Sequence, residues 1–343
     1  LNNKTISIDA MGGDFGPSVT VLAGLDILNR YPDLHIIFVG LQEKVLPLLK
    51  IHGKNLSDRY SFVHASEVVA MDEPPAQALR SKKDSSMRVA INLVKEGKAQ
   101  ACVSAGNTGA LMATARFVLK TLPGVDRPAI ITRFPSQTSK EVRMLDLGAN
   151  INSTAEQLFQ FAVMGSIFAS AEDNSVRPTV GLLNVGEEDI KGTPEIKRAA
   201  ELLSNCPFVN YVGYVEGNAL FAGVVDVIVC DGFVGNVALK ACEGLAQLVK
   251  VRTKEAFEKN WITRLSALPA VPVLKKLMKR IDPRRRNGAT LLGLNGIVVK
   301  SHGGADRIAY SFAIEEAILG VSKNVSEQIR QQLQAVLGDT HKE

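Results

Sequence analysis

Thr5-Ile6-Ser7-Ile8-Asp9-Ala10-Met11-Gly12-Gly13-Asp14-Phe15-Gly16-Pro17 sets a pattern that the chain repeats: a short apolar run, a glycine-rich polar loop, then a helix-like stretch. Ala101-Cys102-Val103 leads into Ser104-Ala105-Gly106-Asn107-Thr108-Gly109, and Val142-Arg143-Met144-Leu145 into Asp146-Leu147-Gly148-Ala149-Asn150. Val180-Gly181-Leu182-Leu183 leads into Asn184-Val185-Gly186-Glu187, and Val225-Asp226-Val227-Ile228-Val229-Cys230 into Asp231-Gly232-Phe233-Val234-Gly235-Asn236. Gly296-Ile297-Val298-Val299-Lys300 closes the series with Ser301-His302-Gly303-Gly304. Runs this short and apolar suit strands covered on both faces, as in a mostly parallel sheet. Ala155 to Ala169 carries Leu158, Phe161, Ala162, Ile167 and Phe168 at helical spacing, and Asp84-Ser85-Ser86 caps a helix through Val94 that Gly97 ends. The alternation predicts an α/β fold, three layers of α/β/α around a mostly parallel central sheet. Ligands bind such sheets outside the carboxyl ends of the strands, so several of the six loops are expected to share one rim.

The 343 residues, 46% hydrophobic and 22% charged, suffice to bury a large core, and we read residues 1–343 as a single α/β catalytic domain. No apolar run is long enough for a transmembrane helix, and Lys4-Thr5 enters a strand at once, leaving no room for a signal peptide; a cytoplasmic protein is expected. Cys102, Cys206, Cys230 and Cys242 form no C-x-x-C pair and read as reduced thiols, mostly core. With no H-E-x-x-H and no zinc-ligand spacing, neither a metal nor another cofactor is expected.

Glycine lets a backbone approach a ligand closely, and successive amides before a helix form an anion-binding concavity. Tight turns after strands need glycine for steric reasons too, so one loop alone decides little. Six loops together suggest an anionic substrate. The sequence lacks G-x-x-x-x-G-K-[ST], has no G-x-G-x-x-G after its first strand and has no G-x-S-x-G. These gaps disfavour a P-loop ATPase, an NAD enzyme and a serine-elbow hydrolase.

The motif Ile8-Asp9-Ala10-Met11-Gly12-Gly13-Asp14-Phe15-Gly16-Pro17 resembles the opening of the PlsX family of phosphate acyltransferases. The blocks at 101–110, 145–150, 183–186, 230–237 and 300–303 resemble the rest of that family's series, in order, from residue 5 to about 325. The resemblance implies a fold like isocitrate and isopropylmalate dehydrogenases, shared with phosphotransacetylases, and a homodimer. It implies transfer of a fatty acyl group from acyl carrier protein to inorganic phosphate, giving acyl phosphate for phospholipid synthesis. Acyl carrier protein is then a partner, a downstream glycerol-phosphate acyltransferase another, and the protein associates peripherally with the inner face of the cell membrane. The competing readings are an acyltransferase that uses acyl-CoA, like phosphotransacetylase, and a non-catalytic membrane scaffold.

Lys191, in Gly186-Glu187-Glu188-Asp189-Ile190-Lys191-Gly192, matches a lysine that the family treats as functional. It is read as catalytic, against a solvated loop lysine. Asn236 matches a second functional position and could donate a hydrogen bond to a carbonyl or phosphate oxygen, or merely cap a turn. Ser104, Gly106, Asn107, Thr108 and Gly109 are candidate phosphate binders. Asp9, Gly12, Gly13, Asp14, Asp231, Gly232 and His302 complete the candidate substrate site. Because carboxylates repel phosphate, Asp9 and Asp14 are expected to shape loops or to bind a proton-bearing group; His302 either braces its loop or protonates the leaving thiolate.

Lys250 to Arg286 holds twelve Lys/Arg and three acids, a local +9 against −4 for the rest of the chain. Leu274, Leu277, Met278 and Ile281 fall on one helix face, with Lys275, Lys276, Lys279 and Arg280 largely elsewhere around it. We read 250–286 as a basic amphipathic helical insertion for dimer or membrane contact, each Lys/Arg worth about 1 kcal/mol near an anionic bilayer. Nucleic acid is not an expected partner, since no recognition motif accompanies the charges.

Overall fold

The computed structural model describes residues 4–138, 140–174, 177–259 and 282–340, with residues 261, 269, 272, 273 and 276 singly. In chain order the elements are β1 (Lys4–Asp9), α1 (Pro17–Arg30), β2 (Leu34–Gly40), α2 (Gln42–His52), β3 (Tyr60–His64), α3 (Pro75–Ser81), α4 (Ser86–Lys95), β4 (Ala101–Ser104) and α5 (Thr108–Leu119). A central group follows: β5 (Ala129–Pro135), β6 (Glu141–Leu145), α6 (Ala155–Asp173), β7 (Thr179–Leu183), α7 (Pro194–Ser204), β8 (Asn210–Val215), α8 (Ala219–Ala222), β9 (Val227–Val229) and α9 (Gly232–Glu258). The chain closes with β10 (Ala289–Leu292), β11 (Ile297–Lys300), α10 (Arg307–Ser322) and α11 (Val325–Thr340). The predicted amphipathic helix around 274–281 lies largely outside the described residues.

All the strands form one sheet in the order β3-β2-β1-β4-β11-β10-β5-β6-β9-β7-β8. One face carries α3, α4, α5, α8 and α9. The other carries α1, α2 and α10 over the first half and α6, α7 and α11 over the second, so the three-layer prediction holds. The six predicted strands all form, and Ile8, Cys102, Val298, Ile228 and their neighbours are wholly buried because helices cover both faces. The predicted cap forms as well: Ser85 Oγ accepts the Arg88 amide. The structure adds a reciprocal capping box of Thr154 and Gln157 at the start of α6.

Strand direction gathers the loops as expected, but on two rims of three. β3, β2, β1, β4 and β11 run parallel; β10 reverses against β11, β5 reverses against β10, and β6 reverses against β5. β6, β9, β7 and β8 then run parallel to one another, opposite to the first group. The loops after β1, β4 and β11 therefore sit at one edge, and those after β6, β7 and β9 at the other. Sequence periodicity marks where strands end but not which way they point, because direction is set by the β5–β6 hairpin and by the late return of β10 and β11.

A buried ion network lies under α6 and α10. Arg143, 2% exposed, donates to Glu172 at 2.8 Å and Asp173 at 2.7 Å. Arg133 pairs with Glu316 of α10 beside it. Burial pushes the Glu316 carboxyl up and Arg133 pulls it down. Arginine on two adjacent strands thus ties a helix of each half to the middle of the sheet.

Candidate active site

At the first rim, Asp9 ends β1 with its carboxylate turned inward. Oδ1 accepts the Ser86 hydroxyl and Oδ2 the Ser104 hydroxyl, both at 2.6 Å, and Ser104 Oγ in turn accepts the Gly106 amide at 3.0 Å. Burial raises its pKa, opposed by these hydrogen bonds. Asp9 is a brace that locks the loop after β1 to the loop after β4. Gly12 belongs to the same lock: a Cβ there would stand 2.7 Å from the Gly106 nitrogen and 2.8 Å from Asp9 Oδ2. Gly13 (φ +86°) and the Asp14 amide, which donates to Gly303 O at 2.9 Å, join the loop after β11. The Asp14 carboxylate remains exposed.

Asn107 is fully used by the protein. Its oxygen caps α5 by accepting the Ala110 amide at 2.9 Å, and its nitrogen donates to the carbonyls of Met71 and Glu73. The amides of Thr108 and Gly109, the first two of α5, have no acceptor among the described residues. His302 Nδ1 accepts the Gly304 amide at 3.0 Å, so a neutral ring carries its proton on Nε2. His302 is thereby both a loop brace and an outward donor.

At the second rim, Asp146 gathers its loop as Asp9 does. It accepts the amides of Ile130, Ala149 and Asn150 at 2.9, 3.0 and 2.7 Å and the Asn150 side chain at 2.9 Å. Asp231 caps α9 by accepting the Val234 amide at 2.8 Å. Gly232 and Gly235 let the first turn of α9 lie on this loop; a Cβ on Gly235 would stand 1.8 Å from the Asp146 carbonyl oxygen. That close seating turns Asn236 toward Gly148, whose own Cβ position lies 3.4 Å from Asn236 Cβ.

Lys191 leaves the loop after β7, the strand hydrogen-bonded beside β9. Its ammonium folds back over Gly186 and pairs with Glu188 at 2.8 Å, which raises its pKa. Lys191 and Asn236 thus rise from neighbouring parallel strand ends on one rim. The loops at 12–14, 104–109 and 302–304 rise from the other.

α9 connects the two. It starts at the second rim and runs back across the sheet, with Lys240 one turn beyond Asn236. The charge of Lys240 is felt by Lys300 at the end of β11, on the first rim. Lys300 was not among the residues expected from sequence. Its side chain is 9% exposed; Nζ donates to Ala105 O at 3.3 Å and to Ser301 O. The available signal was a lysine closing an otherwise wholly apolar strand. No group of His, Cys, Asp and Glu suited to a metal ion occurs among the described residues.

The family model for fatty acid synthesis proteins matches residues 4–328. The chain belongs to the fatty acid synthesis protein family. Among relatives of this fatty acid synthesis protein, the phosphate acyltransferase of Coxiella burnetii (strain Dugway 5J108-111) is 59% identical over 335 residues, covering 97% of this chain and 98% of its own. Relatives from Legionella pneumophila bear the same phosphate acyltransferase name, and the chain is an acyltransferase enzyme. Its fold resembles a phosphotransacetylase from Streptococcus pyogenes (TM-score 0.63, 20% identity, 93% of this chain and 94% of that one). It also resembles a 4-hydroxythreonine-4-phosphate dehydrogenase from Salmonella typhimurium, a structure described as putative (TM-score 0.55, 15% identity, 92% and 99%). Both expectations drawn from the motifs, the family and the dehydrogenase-like architecture, are met.

Proposed function

We propose that the chain transfers a fatty acyl group from acyl carrier protein to inorganic phosphate and so supplies acyl phosphate to phospholipid synthesis. The observation that carries this reading is the rise of Lys191 and Asn236 from the adjacent strand ends of β7 and β9, with Asn236 seated against the Gly148 loop. A phosphate oxygen attacks the thioester carbonyl carbon; the new C–O bond forms, the C–S bond breaks, and the proton of hydrogen phosphate ends on the departing thiolate. A thioester is already activated, so the protein mainly positions both reactants and stabilises the oxyanion. Lys191 and Asn236 supply those donors. Burial pushes the thiols of Cys102 and Cys230 well up, away from the thiolate form, which favours direct attack over a cysteinyl intermediate.

Acyl-phosphate formation, trapped with hydroxylamine, tests the reading. Lys191→Ala and Asn236→Ala are each expected to lower turnover by about 100-fold or more, the usual loss for an oxyanion donor. Near wild-type rates in both would remove the assignment, and faster turnover with acyl-CoA than with the carrier-protein thioester would change the donor.

The same reading includes a homodimer on an anionic membrane surface, handing its product to a glycerol-phosphate acyltransferase. Its support is α9, where Phe233, Val234, Val237, Leu245 and Leu248 lie exposed along a 27-residue helix. A second copy of the chain would cover them. No described helix is long and apolar enough to cross a membrane. Sedimentation as a monomer, or equal flotation on neutral and anionic vesicles, would remove this part of the reading.

A further inference from the structure

Lys300 is a buried cation in an unusual setting. Among the described residues it has no ion pair, and its hydrogen-bond partners are two carbonyl oxygens. An ammonium has three donors, so one remains. The charged groups that act on it are Lys240 from α9, which opposes its charge, and Asp14 and Asp9 from the first strand and its loop, which favour it. Asp9 is itself occupied by Ser86 and Ser104, and neither acid comes within salt-bridge reach. Lys240 is half exposed and pairs with Glu243 at 2.7 Å, so that carboxylate is held on the α9 side and none pairs with Lys300 among the described residues. Beside Lys300 stands the loop of Ala105, followed by the Thr108 and Gly109 amides that lack acceptors.

We propose that Lys300 is the residue that binds inorganic phosphate, at the first rim, between the 105–109 loop and Lys240. An anion there would take the third ammonium donor, offset the repulsion between the two lysines and accept the two free amides. Burial of Lys300 makes its own contact stronger than one on the surface. The inference rests on the acyl transfer to phosphate set out above, and it places the acceptor beside Lys240, one turn along α9 from Asn236, so that the helix brings phosphate to the acyl carbonyl. Lys191, already held by Glu188, then serves the acyl carbonyl.

Equilibrium dialysis with radiolabelled inorganic phosphate tests this without any turnover. Lys300→Met is expected to weaken phosphate binding by about 10- to 100-fold, the usual value of a charge-assisted hydrogen bond, while Lys300→Arg retains part of it. Lys191→Met should bind phosphate as the wild type does, and the KM for the acyl donor should not change in Lys300→Met. Wild-type binding also carries the test if the variant does not fold. Its affinity should fall above pH 8, where Lys300 begins to lose its proton, and phosphate itself no longer titrates. Unchanged binding in Lys300→Met, loss in Lys191→Met instead, or affinity constant from pH 8 to 10 would each overturn the assignment. Should the wild type bind phosphate through Lys300 yet form no acyl phosphate, the proposed reaction fails and the anion site stands.

Discussion

Lys191 and Lys300 carry the same charge in opposite circumstances. Lys191 stands in a loop, 42% exposed, and shares its charge with Glu188. Lys300 is 9% exposed and has no acid partner. A lysine in water keeps its proton at little cost and is free to move with its loop. A lysine under cover is fixed in place, and its charge weakens unless a ligand supports it. The first kind suits a contact that must follow a large acyl substrate. The second suits a small rigid anion.

The rims that hold these lysines can be separated by mutation. The largest effect is expected from Gly235→Ala, whose Cβ would press into the Asp146 carbonyl oxygen. It should cost about 3 kcal/mol or more in denaturant unfolding, as overpacking against backbone does. Turnover should be lost and phosphate binding at the first rim kept; loss of both would join the rims into one cooperative unit. Ser104→Ala, the matching change at the first rim, leaves Asp9 Oδ2 short of a donor. A loss of about 1–3 kcal/mol is expected by the same measurement, with weakened phosphate binding.

Next in size is pH. Burial and Lys240 bring the Lys300 ammonium down to about 8 from 10.5. The folded chain then binds this proton less tightly than the unfolded chain does, so this group's contribution to stability grows as pH rises from about 8 to 10.5. Over that range kcat/KM for phosphate should fall about tenfold per pH unit in the single-ionisation limit. Both trends should disappear in Lys300→Arg, which keeps its charge throughout; persistence of either would place the titrating group elsewhere. Glu188→Gln should have the smallest effect. Exposed pairs are screened by water and add little, so stability should barely move, and a modest change in turnover would show how tightly Glu188 restrains Lys191.

The sequence showed where strands end because apolar β-branched runs stop at glycine, and it showed the loop families through their motifs. Six strands, the cap at Ser85 and the buried setting of Cys102 and Cys230 followed from local chemistry. β10 and β5 did not stand out, and they decide strand direction. Hence Asp9 and Asp231 looked alike in sequence, each an acid at the end of an apolar run that opens a glycine-containing loop, yet they stand at opposite edges. Lys300 was hidden for a related reason. A lysine after three apolar residues reads as the polar end of a strand, and only the neighbouring loop from β4 and the approach of α9 reveal that it is enclosed.

The reversal between β5 and β6 also reshapes the field around the molecule. In an ordinary parallel sheet every following helix starts at the same edge, and the partial charges of roughly +0.5 at the helix starts add up on one side. Here α1, α5 and α10 start at one edge and α6, α7 and α9 at the other. The helix dipoles largely cancel along the strand axis, and what remains is quadrupolar: at each edge the helix starts of one half stand beside the helix ends of the other, so each half offers an anion its own electropositive corner.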